Sequence, residues 1–367
     1  MDVISLTQKL LSFNTINPPG NEAEIARFTG KLLARNGFNV ELHEFGGNRL
    51  HLVAGRGLSQ QKPPFILSGH FDTVPLGAKD WTVDPFAGTV NSGRIWGRGS
   101  SDMKGAIASM LIASFEAFRE SIPGGVRFIL TAGEELGCQG IVSMADKGLI
   151  PGDASAVIVG EPTGNIPATG HKGALYLNAS ATGKTAHSSM PHLGDNAIYK
   201  VVDAIARIRQ IDFAAEQDPL LGYPTLNIGK ISGGMNINSV PDHAAFTIDV
   251  RSTTKMGHGT ILDMIQEAAG KEITFEKLVD IGPVFTPIDH PFVKAVNFEC
   301  GGSGLPFSLP YLTDGAILQK TLNAPVVILG PGEAGQAHQT DEWCDIEKLT
   351  ESVRIYRNII TKWSKKE

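Results

Sequence analysis

Apolar residues recur along the chain with more than one period. Residues 2–12 and 21–36 carry them at helical spacing, with Ile25, Phe28, Leu32 and Leu33 on one face of the second segment and Gly37 as its stop. Five short runs follow a different pattern. Leu50–Ala54, Phe65–Ser68, Val126–Thr131, Ala156–Val159 and Val326–Leu329 are four to six residues long, rich in β-branched residues or leucine, and bounded by Gly or Pro. Such runs predict strands buried on both faces, as in a mainly parallel sheet. Helix-length segments such as Lys104–Glu120 lie between some of them, so an α/β sheet flanked by helices is expected.

The middle of the chain reads differently. Ala174–Ala181 alternates like a half-buried strand, and Asp195–Arg209 carries the Ile198/Val201/Val202/Ile205/Ile208 stripe of an amphipathic helix. Thr225–Ile231 and Ala244–Arg251 read as strands, Thr260–Ala269 as a helix and Glu272–Val279 as a last strand. The order βαββαβ is that of a ferredoxin-like unit with helices on one face. The expected organisation is a first part at 1–172, an inserted small domain at 173–283 and a second part of the larger domain at 284–367.

Composition narrows the function classes. Hydrophobic residues make up 42% and charged residues 19%, enough to bury a sizeable core. The net charge of −6 leaves no basic field to neutralise phosphates, so nucleic acid is not an expected partner. The longest apolar runs are too short to cross a bilayer, and the first twenty residues lack the basic start and small-residue cleavage site of a signal peptide. Three widely spaced cysteines, Cys138, Cys300 and Cys344, form neither a disulfide framework nor a thiolate zinc site. A cytoplasmic location is expected. Gly301-Gly302-Ser303-Gly304 reads as a loop bordering a substrate pocket.

Four of the buried runs end in acid or imidazole. Phe65–Ser68 leads to His70 and Asp72, Val126–Thr131 to Glu134 and Glu135, Ala156–Val159 to Glu161, and Val326–Leu329, after a Gly-rich loop, to His338. Asp102 adds a further carboxylate from the loop before the Lys104 helix. Ligands of open α/β sheets bind beyond the carboxyl ends of the strands. Carboxylates gathered there repel one another unless a cation compensates. Nitrogen and oxygen donors without thiolate suit Zn²⁺, with Mn²⁺ or Co²⁺ as substitutes. Two histidines and three acids suffice for two ions if one carboxylate bridges. Asp72, two residues from His70, is placed to orient it. Of the adjacent Glu134 and Glu135, one serves as ligand and the other as proton shuttle. Taken singly, each segment would pass for a turn or a solvated pair. The other histidines read as structural or exposed. Gly183-Lys184-Thr185 lacks the earlier glycine of a phosphate loop, and no G-x-S-x-G or H-E-x-x-H occurs.

The segments SGHFDTVP at 68–75, GRGSSDMKG at 97–105, TAGEELGCQG at 131–140, GEPT at 160–163 and GPGEAGQAHQTDE at 330–342 resemble the signature blocks of the M20 metallopeptidase/deacylase family, in the branch of acetylornithine deacetylase and succinyl-diaminopimelate desuccinylase. The resemblance implies a zinc-exopeptidase-like catalytic domain interrupted by a ferredoxin-like dimerisation domain, two zinc ions per subunit and a homodimer. It implies His70, Asp102 and Glu161 at one ion, and Asp102, Glu135 and His338 at the other. Asp72 would orient His70, and Glu134 would act as general base and then general acid. GKTAHSSMPHLGDNAI at 183–198 resembles the family segment whose histidine, here His187, reaches the partner's active site. Asn238 and Arg251 match its substrate-binding positions, and Arg251, with Asn238 nearby, would clamp a substrate carboxylate. The implied reaction is removal of an acyl group from an N-acyl amino acid, of the acetylornithine deacetylase type. Succinyl-diaminopimelate desuccinylase and a di- or tripeptidase are the alternatives. A non-catalytic metal-dependent binding protein is the reading from another class; it would lack Glu134 or a ligand, and all are present.

Overall fold

The computed structural model describes residues 1–213, 217–302 and 307–365. Ser303 and Gly304 of the expected loop lie outside the described residues. The chain divides into two compact units, residues 171–284 with 308–312, and the remainder.

In the larger unit the strands Asn39–Gly46, Arg49–Arg56, Val126–Thr131, Phe65–His70, Ala156–Val159 and Val326–Ile328 lie side by side in that order. The last four are parallel, with Phe65 opposite both Val126 and Ala156, and Val326 opposite Val157. Arg49–Arg56 is antiparallel to both of its neighbours, unlike the parallel arrangement its apolar run suggests. An apolar run reports burial on two faces, which favours a parallel strand but does not fix the direction of any one strand. Both faces are covered. Phe65, Leu67, Phe128, Leu130 and Ile158 join the core under the helices Val3–Leu11, Ala23–Arg35, Lys104–Ala117, Pro291–Glu299 and Ile346–Trp363. The helix Gly315–Leu322 packs on Ala156–Val159 and Val326–Ile328.

Lys104–Ala117 is apolar nearly all round because it is held between the sheet and Ile346–Trp363. The latter helix, not among the expected elements, begins where the Asp345 carboxylate accepts from the N–H groups of Glu347 and Lys348. A small antiparallel sheet, Thr89–Asn91, Arg94–Trp96 and Trp343–Asp345, was also not signalled by the pattern. No helix among the described residues is long and apolar enough to cross a membrane.

The smaller unit is a four-stranded antiparallel sheet in the order Thr225–Gly233, His243–Ser252, Gly173–Thr182, Ile273–Ile281. Burial alternates strictly along His243–Ser252, so one face is apolar. Val201, Ala204 and Ile208 of the helix Ala197–Ile208, and Ile261 and Ile265 of the helix His258–Ala269, cover that face.

Candidate metal centre

Parallel strands end at a common edge, and the larger unit uses this to gather charge. His70 closes its strand, Glu134 and Glu135 follow Val126–Thr131, and Glu161 follows Ala156–Val159. His338 lies in the loop after Val326–Ile328, with a left-handed backbone at φ 65°. Asp102 sits between the two imidazoles. Its Oδ1 is 3.2 Å from His70 Nε2, and its Oδ2 is 3.5 Å from His338 Nε2. Glu161 Oε1 approaches His70 Nε2 at 3.7 Å, and Glu135 Oε2 approaches His338 Nε2 at 3.1 Å. One carboxylate therefore faces two donor groups, one through each oxygen.

Neighbouring groups hold these side chains. His70 Nδ1 is 2.9 Å from the main-chain carbonyl of Asp72, which leaves Nε2 free to bind. The Asp72 carboxylate does a different task. Oδ1 accepts from the N–H groups of Gly133 and Glu134 at 2.9 and 3.1 Å. Oδ2 accepts from the Glu135 N–H and from Asn17 Nδ2, at 3.1 and 2.9 Å. Asp72 thus braces the turn that presents both glutamates. Gly133 turns there at φ 83°, where a Cβ would stand 2.7 Å from the Phe45 ring. His51 supports the same turn, its Nδ1 accepting the Ala132 N–H at 3.1 Å, and burial lowers its pKa to about 4.

Burial raises the pKa of Glu134, Glu135 and Glu161, and neighbouring carboxylates add to the rise for each. Burial opposes protonation of His70, but the hydrogen bond to Asp102 and the charges of Glu161 and Glu134 outweigh it and raise its pKa. Hydrogen bonds to Asp102 and Glu135 raise His338 to about 10. The common cause is carboxylate charge crowded in a buried place, which a cation would offset. Glu135 Oε1 is buried and has no hydrogen-bond partner among the described residues. An orphaned carboxylate oxygen within this oxygen and nitrogen donor set fits a divalent cation. Donor atoms of His70, Asp102 and Glu135 lie within 4.8 Å of one another.

Several participants gave no sequence signal. The Cys138 thiol donates to Glu134 Oε1 at 3.2 Å, and Thr131 donates to a buried Asp314 at 2.5 Å. Burial raises Asp314 to about 6. Glu342, part of a quoted block, and Asn17 were likewise unassigned.

The other three expected site residues belong to the smaller unit. His187 is exposed and bonds Ser189 Oγ through Nδ1 at 2.7 Å. Asn238 is brought beside it, its carbonyl accepting the Ser188 N–H at 3.1 Å. Arg251 pairs with Asp249 at 2.9 Å and donates to the Tyr176 hydroxyl. It lies seven residues along the strand from Ala244, which pairs with Gly233 at the hairpin end carrying Asn238. Arg251 and that end are about 24 Å apart at strand rise. Ser252, His258 and Asp280 form a hydrogen-bonded chain with both links at 2.7 Å, but Ser252 is fully buried and the chain is structural.

A mixed α/β sheet that collects carboxylates and imidazoles at its parallel edge offers the donor set of a metallo-hydrolase. The chain belongs to peptidase family M20/M25/M40, whose model matches residues 66–362. It is 29% identical to a probable succinyl-diaminopimelate desuccinylase of Staphylococcus epidermidis, over 100% of this chain and 98% of that protein. It is 30% identical to an acetylornithine deacetylase of Vibrio vulnificus, over 94% and 92%. Its fold matches an M20 family metallo-carboxypeptidase of Sulfolobus solfataricus with a TM-score of 0.82 at 20% identity, covering 99% and 100% of the two chains.

Proposed function

We propose that this chain is a dinuclear zinc amidohydrolase that removes the acyl group of an N-acyl amino acid, with N-acetylornithine as the first substrate to test. The single observation that carries the reading is Asp102 standing between two donor groups, with one oxygen toward each imidazole. His70, Asp102 and Glu161 would hold one ion, and Asp102, Glu135 and His338 the other; Co²⁺ or Mn²⁺ suits the same donors. When bound, such ions supply Lewis acidity and lower the pKa of water. Glu134 takes the proton of the attacking water and returns it to the leaving amine. Burial and the Cys138 thiol keep its carboxylate poised for both steps. Asp72 keeps Glu134 and Glu135 in register through its three main-chain bonds.

His187 would donate to the developing oxyanion, with Asn238 beside it, and Arg251 would clamp a substrate carboxylate. The hairpin end with Asn238 and the Arg251 end of the smaller unit lie too far apart to meet one small substrate. A homodimer resolves this, with His187 and Asn238 supplied by one copy and Arg251 by the other. Three free cysteines suit a reducing cytoplasm. The full-length similarity to a probable desuccinylase favours N-succinyl-diaminopimelate as a second substrate. Assays of zinc- or cobalt-loaded protein against both acyl amino acids and a set of dipeptides decide the matter. Turnover of an acyl amino acid is expected; preference for a dipeptide by orders of magnitude would overturn the reading.

A further inference from the structure

We propose that Glu342 is a positioning residue that sets Asp102 between the two ions, acting with Arg98 as a clamp on the loop 97–102. This rests on the dinuclear reading above. The Glu342 side chain is wholly buried, and both oxygens are fully engaged. Oε1 accepts the N–H groups of Ser101 and Asp102 at 2.8 and 3.0 Å. Oε2 accepts the Gly99 N–H at 3.0 Å and Arg98 Nη1 at 2.7 Å. The loop is thus wrapped around one carboxylate, with the bridging residue as its last donor. Gly99 makes the wrap with a left-handed φ of 90°, where a Cβ would meet Thr73 at 2.9 Å.

Arg98 extends the clamp to two other ligand-bearing segments. Its Nη1 donates to the carbonyl of Gln339, next to His338, at 3.1 Å, and its Nη2 donates to the carbonyl of Pro75 at 3.0 Å. The Glu342 main chain accepts the Gly97 N–H at 2.9 Å, and Ser101 Oγ donates to the carbonyl of Trp343 at 2.8 Å. The segment after His338 and the loop before Asp102 are therefore fastened to each other at one buried ion pair. A glutamine at 342 keeps the shape but turns one acceptor into a donor facing N–H groups, which leaves buried donors unpaired. The loop must then shift, and Asp102 with it. Partners behind ligands characteristically change metal affinity by about 10–100-fold.

The test is zinc affinity, measured by competition with a chromophoric chelator on wild type, Glu342→Gln, Glu342→Asp and a control, Glu299→Gln. Glu299 is a buried carboxylate bound to Lys362 and Asn358 at 2.6 and 3.0 Å, away from the loop. Expected is a folded Glu342→Gln that binds zinc about 10–100-fold more weakly, with the control at wild-type affinity. Should Glu342→Gln not fold, Glu342→Asp decides by the same criterion. Wild-type zinc affinity in the folded variant, or an equal loss in the control, would overturn the clamp and leave the metal centre standing. A wild type that takes up no zinc would overturn both.

Discussion

His70 and His338 face opposite oxygens of one aspartate, yet the fold holds them in different ways. His70 ends a central parallel strand, has a side chain only 2% exposed, and is fixed at Nδ1 by a main-chain carbonyl. His338 stands on an irregular loop in a left-handed conformation, and its side chain is 54% exposed. The partner carboxylates differ less, at 4% for Glu161 and 5% for Glu135. A strand end gives rigidity and a dry environment; a loop gives access to solvent and substrate. The centre therefore has a closed side and an open side, joined by Asp102.

The largest effect should come from removing what joins them. Asp102→Ala is expected to lose both ions and to fall to the activity of the metal-free protein; metal content by plasma emission checks this, and retention of two ions would remove the bridge from the account. Next in size is the difference between the sides. Extraction by a small chelator should be biphasic, the first ion leaving from the His338 side, and His338→Ala should abolish the fast phase alone. A single phase in wild type would erase the distinction.

The smallest effect concerns the support of the turn that carries Glu135, the buried ligand of the open side. His51 stays neutral in the fold down to about pH 4, whereas the unfolded imidazole takes a proton near 6.5. Between those values the unfolded chain binds more protons, so stability falls as pH falls, by about 3 kcal/mol in all. Denaturant titrations at pH 7 and 4.5 should show this loss in wild type and a reduced loss in His51→Gln. Equal losses in the two proteins would refute it.

The same contrast explains what the sequence made legible. Phe65–His70, Val126–Thr131 and Ala156–Val159 are buried on both faces, so their composition announces them, and an acid or imidazole just past such a run stands out. Asn39–Gly46 lies at the edge with every position exposed or half-buried, and only the short alternation of Val40 and Leu42 with polar neighbours marks it as a strand. Ile346–Trp363 did carry a signal, with Leu349, Val353, Tyr356 and Ile360 on its buried face. His70, Glu135 and Glu161 were legible because they sit at or just past strand ends, whereas Asp102 and His338 lie on loops and stood out through the motif blocks around them. Glu342, Asn17 and Asp314 were not, because their partners are main-chain groups or side chains distant in sequence. Asp72 shows the limit well: spacing placed it beside His70, but only the fold reveals that its carboxylate braces the Glu134 turn while its carbonyl orients the imidazole.

The central claim is that Glu134 moves the proton while other residues hold the metal, and Glu134→Gln tests it most directly. Hydrolysis of the acyl amino acid and zinc content should be measured on the same sample. The account predicts two zinc ions per chain and a rate about 10²–10⁴-fold below wild type. A zinc-loaded variant that hydrolyses at the wild-type rate would contradict it.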